Sequence, residues 1–146
     1  MVCPMLIDHY HPLAGVKDVF NAIFVHGNMV GDTMFYGSGA GKLPTASAVA
    51  ADVVDCVKHM GTHIKMIWEQ EKLALSDFGS FERRYFVRMP KEVSLDAVEK
   101  VFGAVEPVKV EGIEETAFVT GVMKESDYHK AADQFDNILN MIRIDE

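Results

Sequence analysis

The chain has 146 residues, enough for one domain or two small ones. Hydrophobic residues make up 49% and charged residues 25%, the balance of a folded globular protein rather than of a disordered one. Fourteen Lys and Arg against 22 Asp and Glu give a net charge of −8 with no basic stripe, which argues against a nucleic-acid partner; no apolar run reaches membrane length, and two cysteines, Cys3 and Cys56, are too few for a disulfide scaffold and fit a reducing, cytoplasmic compartment.

In chain order, Val2 to Ile7 reads as a strand, and Met1 to Ile7 lacks the basic start of a secretory signal. Val19–His26 and Met29–Tyr36 are β-rich runs separated by Gly27-Asn28, a hairpin signal. A glycine-rich loop follows, Gly37-Ser38-Gly39-Ala40-Gly41. Pro44 suits the first turn of a helix whose apolar stripe is Ala46, Val49, Ala50, Val53, Val54 and Val57, running up to Gly61. Trp68 with Ile64-Lys65-Met66-Ile67 is expected to pack in a linker helix. Three strands and one helix make a poor independent core. The turn-like Ser76-Asp77-Phe78-Gly79-Ser80 marks a seam between units 1–78 and 79–146.

Beyond the seam, Arg84–Met89 predicts a strand stopped by Pro90. Ser94 caps a helix over Leu95, Val98, Val101 and Phe102, and Gly103 ends it. Val105 and then Val108–Glu111 predict a strand, Gly112 a turn, and Thr116–Met123 another strand. Ser126 is expected to cap a longer helix with Tyr128, Ala131, Ala132, Phe135, Ile138 and Leu139 at helical spacing, followed by a last strand at Met141–Ile144. The fold class expected is therefore α+β: a ferredoxin-like βαββαβ unit preceded by a partial α/β segment.

The glycine-rich loop carries the most chemistry. Alternating glycines let a main chain approach a ligand, and the amides of the following helix can face an anion. The same spacing also suits a flexible strand-to-helix turn. It is neither a Walker loop, since Tyr36 and Leu43 occupy required positions, nor a dinucleotide fingerprint, since the third glycine would fall on Lys42. His9 and His11, and His59 and His63, lack the HExxH pattern, so no metal is assigned. His11 can serve as a general acid or base, as a polar substrate contact, or as a surface loop residue. Asp52/Asp55 and Glu114/Glu115 read as solvated faces.

His11-Pro12-Leu13-Ala14, Asn21-Ala22-Ile23, Gly37–Gly41 and Pro44-Thr45-Ala46-Ser47-Ala48-Val49 together resemble the closing part of the homoserine dehydrogenase catalytic region. Residues 81–146 are similar to an ACT domain, the amino-acid-sensing module that follows this region in many bacterial members. The resemblance implies an NAD(P)-dependent oxidoreductase of threonine and methionine biosynthesis. Such an enzyme interconverts L-homoserine and L-aspartate 4-semialdehyde under feedback control by threonine. It further implies that Gly39, Ala40 and Gly41 lie against the cofactor and that His11 lies near the substrate. In the ACT-like unit Pro90, Lys91, Glu92 and Val93 occupy the effector loop, although the glycine usual there is absent. The family's dinucleotide fingerprint, substrate-binding acidic residue and catalytic lysine precede the matched stretch. The chain is therefore expected to be a C-terminal fragment, inactive alone and holding no cofactor by itself, with a small-molecule substrate, an amino-acid effector and a homo-oligomeric state. The alternatives are a free-standing amino-acid-binding or assembly module without redox activity, and a histidine-based metal protein. A pure sensor has no need of the glycine-rich loop.

Overall fold

Alternation of apolar residues along Tyr85, Val87 and Met89 fixes the inner face of the central strand, and the rest of the core assembles on it. The computed structural model describes residues 2–63 and 65–145. The strands are β1 (Met5–Ile7), β2 (Phe20–Gly27), β3 (Gly31–Ser38), β4 (Glu82–Pro90), β5 (Val105–Val108), β6 (Glu115–Thr120), β7 (Met123–Lys124) and β8 (Asn140–Asp145). The helices are α1 (Lys42–Lys58), α2 (Leu95–Phe102) and α3 (Glu125–Ala132). The fold is mixed α+β, in two units: His9–Lys72, and the residues up to Asp8 together with those from Leu73 onward.

In the larger unit the sheet order is β1-β8-β4-β6-β5, with β7 pairing the start of β4. β4 is antiparallel to β8 and to β6, and β6 is antiparallel to β5. Val87 stands opposite Phe118 on one side and Met141 on the other, so these residues share the inner face. Val98 and Phe102 from α2, and Tyr128 and Ala131 from α3, complete the buried set. The rings interlock: Tyr85 stacks on Tyr128 at 4.3 Å, and Phe102 meets Phe118 at 5.5 Å and Phe135 at 5.9 Å. α2 forms where its caps predict. Ser94 Oγ accepts from the Ala97 amide at 3.3 Å, and Gly103 ends the helix at φ 78°.

The unit His9–Lys72 is a β2–β3 antiparallel hairpin followed by α1. Among its described residues none is buried, which agrees with the poor core read from the sequence. Val49, Val53, Cys56 and Val57 of α1, with Met60 just beyond its end, line an open trough of about 340 Å³.

Several expectations are corrected. The N-terminal strand shortens to Met5–Ile7 and pairs in parallel with β8. Met29 and Val30 stand in the hairpin turn, since Gly27 pairs with Gly31. No linker helix forms at Lys65–Trp68, where three successive apolar side chains have no face to cover and Trp68 is 81% exposed; Ile64 lies outside the described residues. α1 ends at Lys58, three residues short of Gly61. β5 stops at Val108, and Lys109–Glu111 lead into the turn at Gly112, φ 80°. The run expected at Thr116–Met123 is interrupted at Gly121-Val122, which splits it into β6 and β7. Lys124, not Ser126, is the N-cap of α3, and the helix ends at Ala132. Phe135 and Ile138 still reach the core, from turns rather than from helix.

Candidate functional site

The turn joining β3 to α1 is nearly bare main chain. A Cβ on Gly39 would fall 1.5 Å from Asn21 Nδ2 and 2.6 Å from Asn21 Cγ, so no side chain fits there while Asn21 keeps its place. Gly41 has φ 119° and ψ 153°, a region nearly closed to other residues. Its carbonyl accepts from the Thr45 amide at 3.2 Å and from Thr45 Oγ1 at 2.9 Å. No side chain caps the start of α1 and no acidic residue lies in its first turn, so the amides of Lys42 and Leu43 and the positive end of the helix dipole suit an anionic ligand. Pro44 has no N–H to leave unpaired. These features fit a nucleotide. The main chain is open beside Gly37, where nothing stands within 4 Å of an added Cβ, and donors lie at the helix start.

His11 is the N-cap of a 3-10 turn at Pro12–Gly15, and its Nδ1 accepts from the Leu13 amide at 3.1 Å. That bond places the proton of the neutral ring on Nε2, which becomes a donor. The ring meets Phe24 edge-on at 5.0 Å. Asn21 and Phe24 leave β2 on opposite faces. The hairpin therefore holds His11 on one face, while Gly39 meets the side chain that leaves the other. Among the described residues no cluster of His, Cys, Asp and Glu could hold a metal.

Pro90–Val93 forms a tight turn whose main chain is largely occupied. The Val93 amide bonds to the Pro90 carbonyl at 3.1 Å, and the Val93 carbonyl accepts from Thr116 Oγ1 at 2.7 Å. Lys91 is tied to Glu114 at 2.5 Å, and nearby Arg88 forms a two-pronged bond with Glu115 at 2.7 and 2.8 Å. Hydrogen bonding to Arg88 holds the Glu115 carboxyl below its usual range. Glu92 is exposed. Glu114 and Glu115, read as merely solvated, are thus both paired.

One polar cluster was not signalled by the sequence. Glu125, 1% exposed at the first position of α3, accepts from Tyr85 Oη at 3.0 Å and from Arg143 Nε at 3.0 Å, pairs with Arg143 Nη2, and meets His129 Nε2 at 3.1 Å. Burial pushes the Glu125 carboxyl up, but the bonds from Arg143 and Tyr85 outweigh it and hold the group below its usual range. Burial also pushes Tyr128 up to about 12. The cluster's groups are consumed by one another, so it clamps α3 to the sheet.

Fold and turn together define an α+β protein with a glycine turn nearly free of side chains that leads into α1. Residues 1–54 match the homoserine dehydrogenase family. The chain is 51% identical over 59 residues to homoserine dehydrogenase of Bacillus subtilis, covering 40% of this chain and 14% of that protein. It is 36% identical over 121 residues to homoserine dehydrogenase of Mycobacterium bovis, covering 77% and 27%. Its structure is similar to a homoserine dehydrogenase from Thiobacillus denitrificans with a TM-score of 0.72 and 25% identity, covering 97% of this chain and 38% of that one. The chain thus spans well under half the length of these relatives.

Proposed function

We propose that this chain works as part of a homoserine dehydrogenase, with residues 1–78 belonging to the catalytic region and 79–146 forming an ACT-like regulatory domain. The observation that carries the reading is the glycine turn itself, which lies inside the segment matching the family and offers main chain and helix amides where an anionic nucleotide can approach. The main chain of Gly39, Ala40 and Gly41 would meet NAD(P) near its nicotinamide end. The nicotinamide supplies the hydride acceptor or donor when L-homoserine and L-aspartate 4-semialdehyde interconvert. His11, with Nε2–H as donor, would orient a substrate oxygen.

The ACT-like reading is supported by the antiparallel order β8-β4-β6-β5 with two helices on one face. Threonine or another amino acid would act there, with Pro90–Val93 as the candidate effector turn, in a cytoplasmic homo-oligomer. The occupied main chain of that turn leaves Lys91 and Glu92 side chains as the contacts a ligand would use.

The chain by itself is expected to oxidise no homoserine and to retain no nucleotide on purification. Contact is therefore read by NMR in excess NADP+. The amides of Ala40 and Gly41 are expected to shift while those of Lys91–Val93 and of Val105, Glu106 and Val108 do not. Turnover of L-homoserine by the chain alone, or an unmoved glycine turn, overturns the reading.

A further inference from the structure

We propose that Asn21 is a positioning residue of the Gly39–Gly41 turn: its carboxamide takes the place of a Gly39 side chain and holds the main chain of the turn open. The ligand side of this inference rests on the nucleotide reading above, whereas the packing side rests on geometry alone.

Asn21 is the second residue of β2 and stands opposite Gly37 on β3. Two residues past Gly37, the chain brings Gly39 back against the Asn21 side chain. The three atoms nearest an added Cβ all belong to that carboxamide, at 1.5, 2.6 and 3.0 Å. Real Cβ contacts do not fall so close. A side chain at position 39 therefore needs the exposed Asn21 carboxamide to swing aside, and the constraint there is this contact rather than backbone strain, which sits two residues later at Gly41. Thr45 and Pro44 hold that second glycine, with Pro44 Cδ 3.5 Å from an added Cβ. The turn is thus fixed at both ends, by Asn21 at Gly39 and by Thr45 at Gly41.

The carboxamide is not engaged in holding the hairpin together. Among the described residues none hydrogen-bonds to it, and Asn21 is exposed. An apolar side chain would fill the same space. A flat amide does so while leaving two N–H donors and one acceptor beside the bare main chain. Asn21 therefore adds the polar side chain that the glycine turn lacks.

The test uses the isotope-labelled chain with Gly39→Ala, Asn21→Ala and the double variant. Gly39→Ala is expected to shift the Asn21 side-chain amide pair and the main-chain amides of Ala40 and Gly41. The double variant is expected to return Ala40 and Gly41 close to their original positions, because the alanine methyl occupies the space Asn21 vacates. The melting temperature is expected to stay unchanged throughout, which separates positioning from general loss of fold. With excess NADP+, the nucleotide-induced shifts of Ala40 and Gly41 should be lost in Gly39→Ala and recovered in the double variant. An Asn21 side-chain pair unmoved by Gly39→Ala, or a double variant whose shifts are the sum of the two singles, overturns the proposal. If the coupling is seen but NADP+ moves nothing in the unaltered chain, the nucleotide reading fails and the positioning role of Asn21 stands.

Discussion

Arg143, on the last strand, closes on the carboxylate of Glu125, the first residue of α3, with Nε 3.0 Å from Oε2 and 3.2 Å from Oε1. The side chains are 15% and 1% exposed. A buried pair of this kind is costly to break because the surviving charge is left without its partner. Glu125→Ala is expected to destabilise the larger unit by about 3–5 kcal/mol, read from urea unfolding followed by tyrosine fluorescence. Arg143→Lys keeps the charge but loses the fork, and should fall between the unaltered chain and Glu125→Ala. Equal stability of all three would show that the pair clamps nothing.

The same cluster sets an acid limit. The Glu125 carboxyl titrates below its usual range in the folded chain, through the opposing effects of burial and of its bonds to Arg143, Tyr85 and His129. A depressed carboxyl stabilises the fold above its unfolded value, about pH 4.3, and that contribution disappears as pH falls through the folded value. Stability is therefore expected to be flat in this respect above about pH 5 and to decline below about pH 4. Glu125→Gln should be less stable at neutral pH but lose less on acidification, so the gap between the two narrows. A gap that widens toward low pH reverses the sign of the argument.

Much of the larger unit was legible because its signals are local. Ser94 and Gly103 bracket α2, and alternation along Tyr85–Met89 marks the inner face. What was not legible depends on partners distant in sequence. β1 finds its partner on the final strand, pairing Leu6 with Ile144. The start of α3 is set at Lys124–Glu125, where the Arg143 fork meets Glu125, while Ser126 sits inside the helix. Phe135 and Ile138 kept helical spacing, yet the chain must turn there to enter β8, and core packing satisfies both residues equally well from turns. At the candidate site the glycines were readable as a motif. That Gly39 answers to Asn21 was not, because the reason is a close approach between two elements.

The two units should respond separately to substitution. Phe118 is fully buried and packs on Phe102, so Phe118→Ala is expected to cost about 3–5 kcal/mol. Val53 lies on the uncovered stripe of α1 and is 58% exposed. Val53→Ser is expected to stay within about 0.5 kcal/mol in the same unfolding measurement. A large loss from Val53→Ser would mean that the α1 stripe is covered in solution, and sedimentation of the two variants would then show whether a second copy covers it.

The glycine turn offers a matched pair of substitutions that separates backbone strain from mere openness. Gly41→Ala places a Cβ on a residue at φ 119°, ψ 153°, at a cost of about 1–3 kcal/mol, which the chain can escape only by moving the start of α1. The Gly41 carbonyl would then leave the Thr45 amide and hydroxyl, which lie 3.2 and 2.9 Å from it. Carbon chemical shifts of Lys42–Ala46 are expected to lose helical character in Gly41→Ala while those from Val49 onward keep it. Gly37 lies in β3 without a positive φ, and an added Cβ there meets nothing within 4 Å. Gly37→Ala is accordingly expected to leave the first turn of α1 intact. If both variants fray that turn alike, the conformation of Gly41 is not what sets where the helix begins, and the donors at Lys42 and Leu43 lose their fixed position.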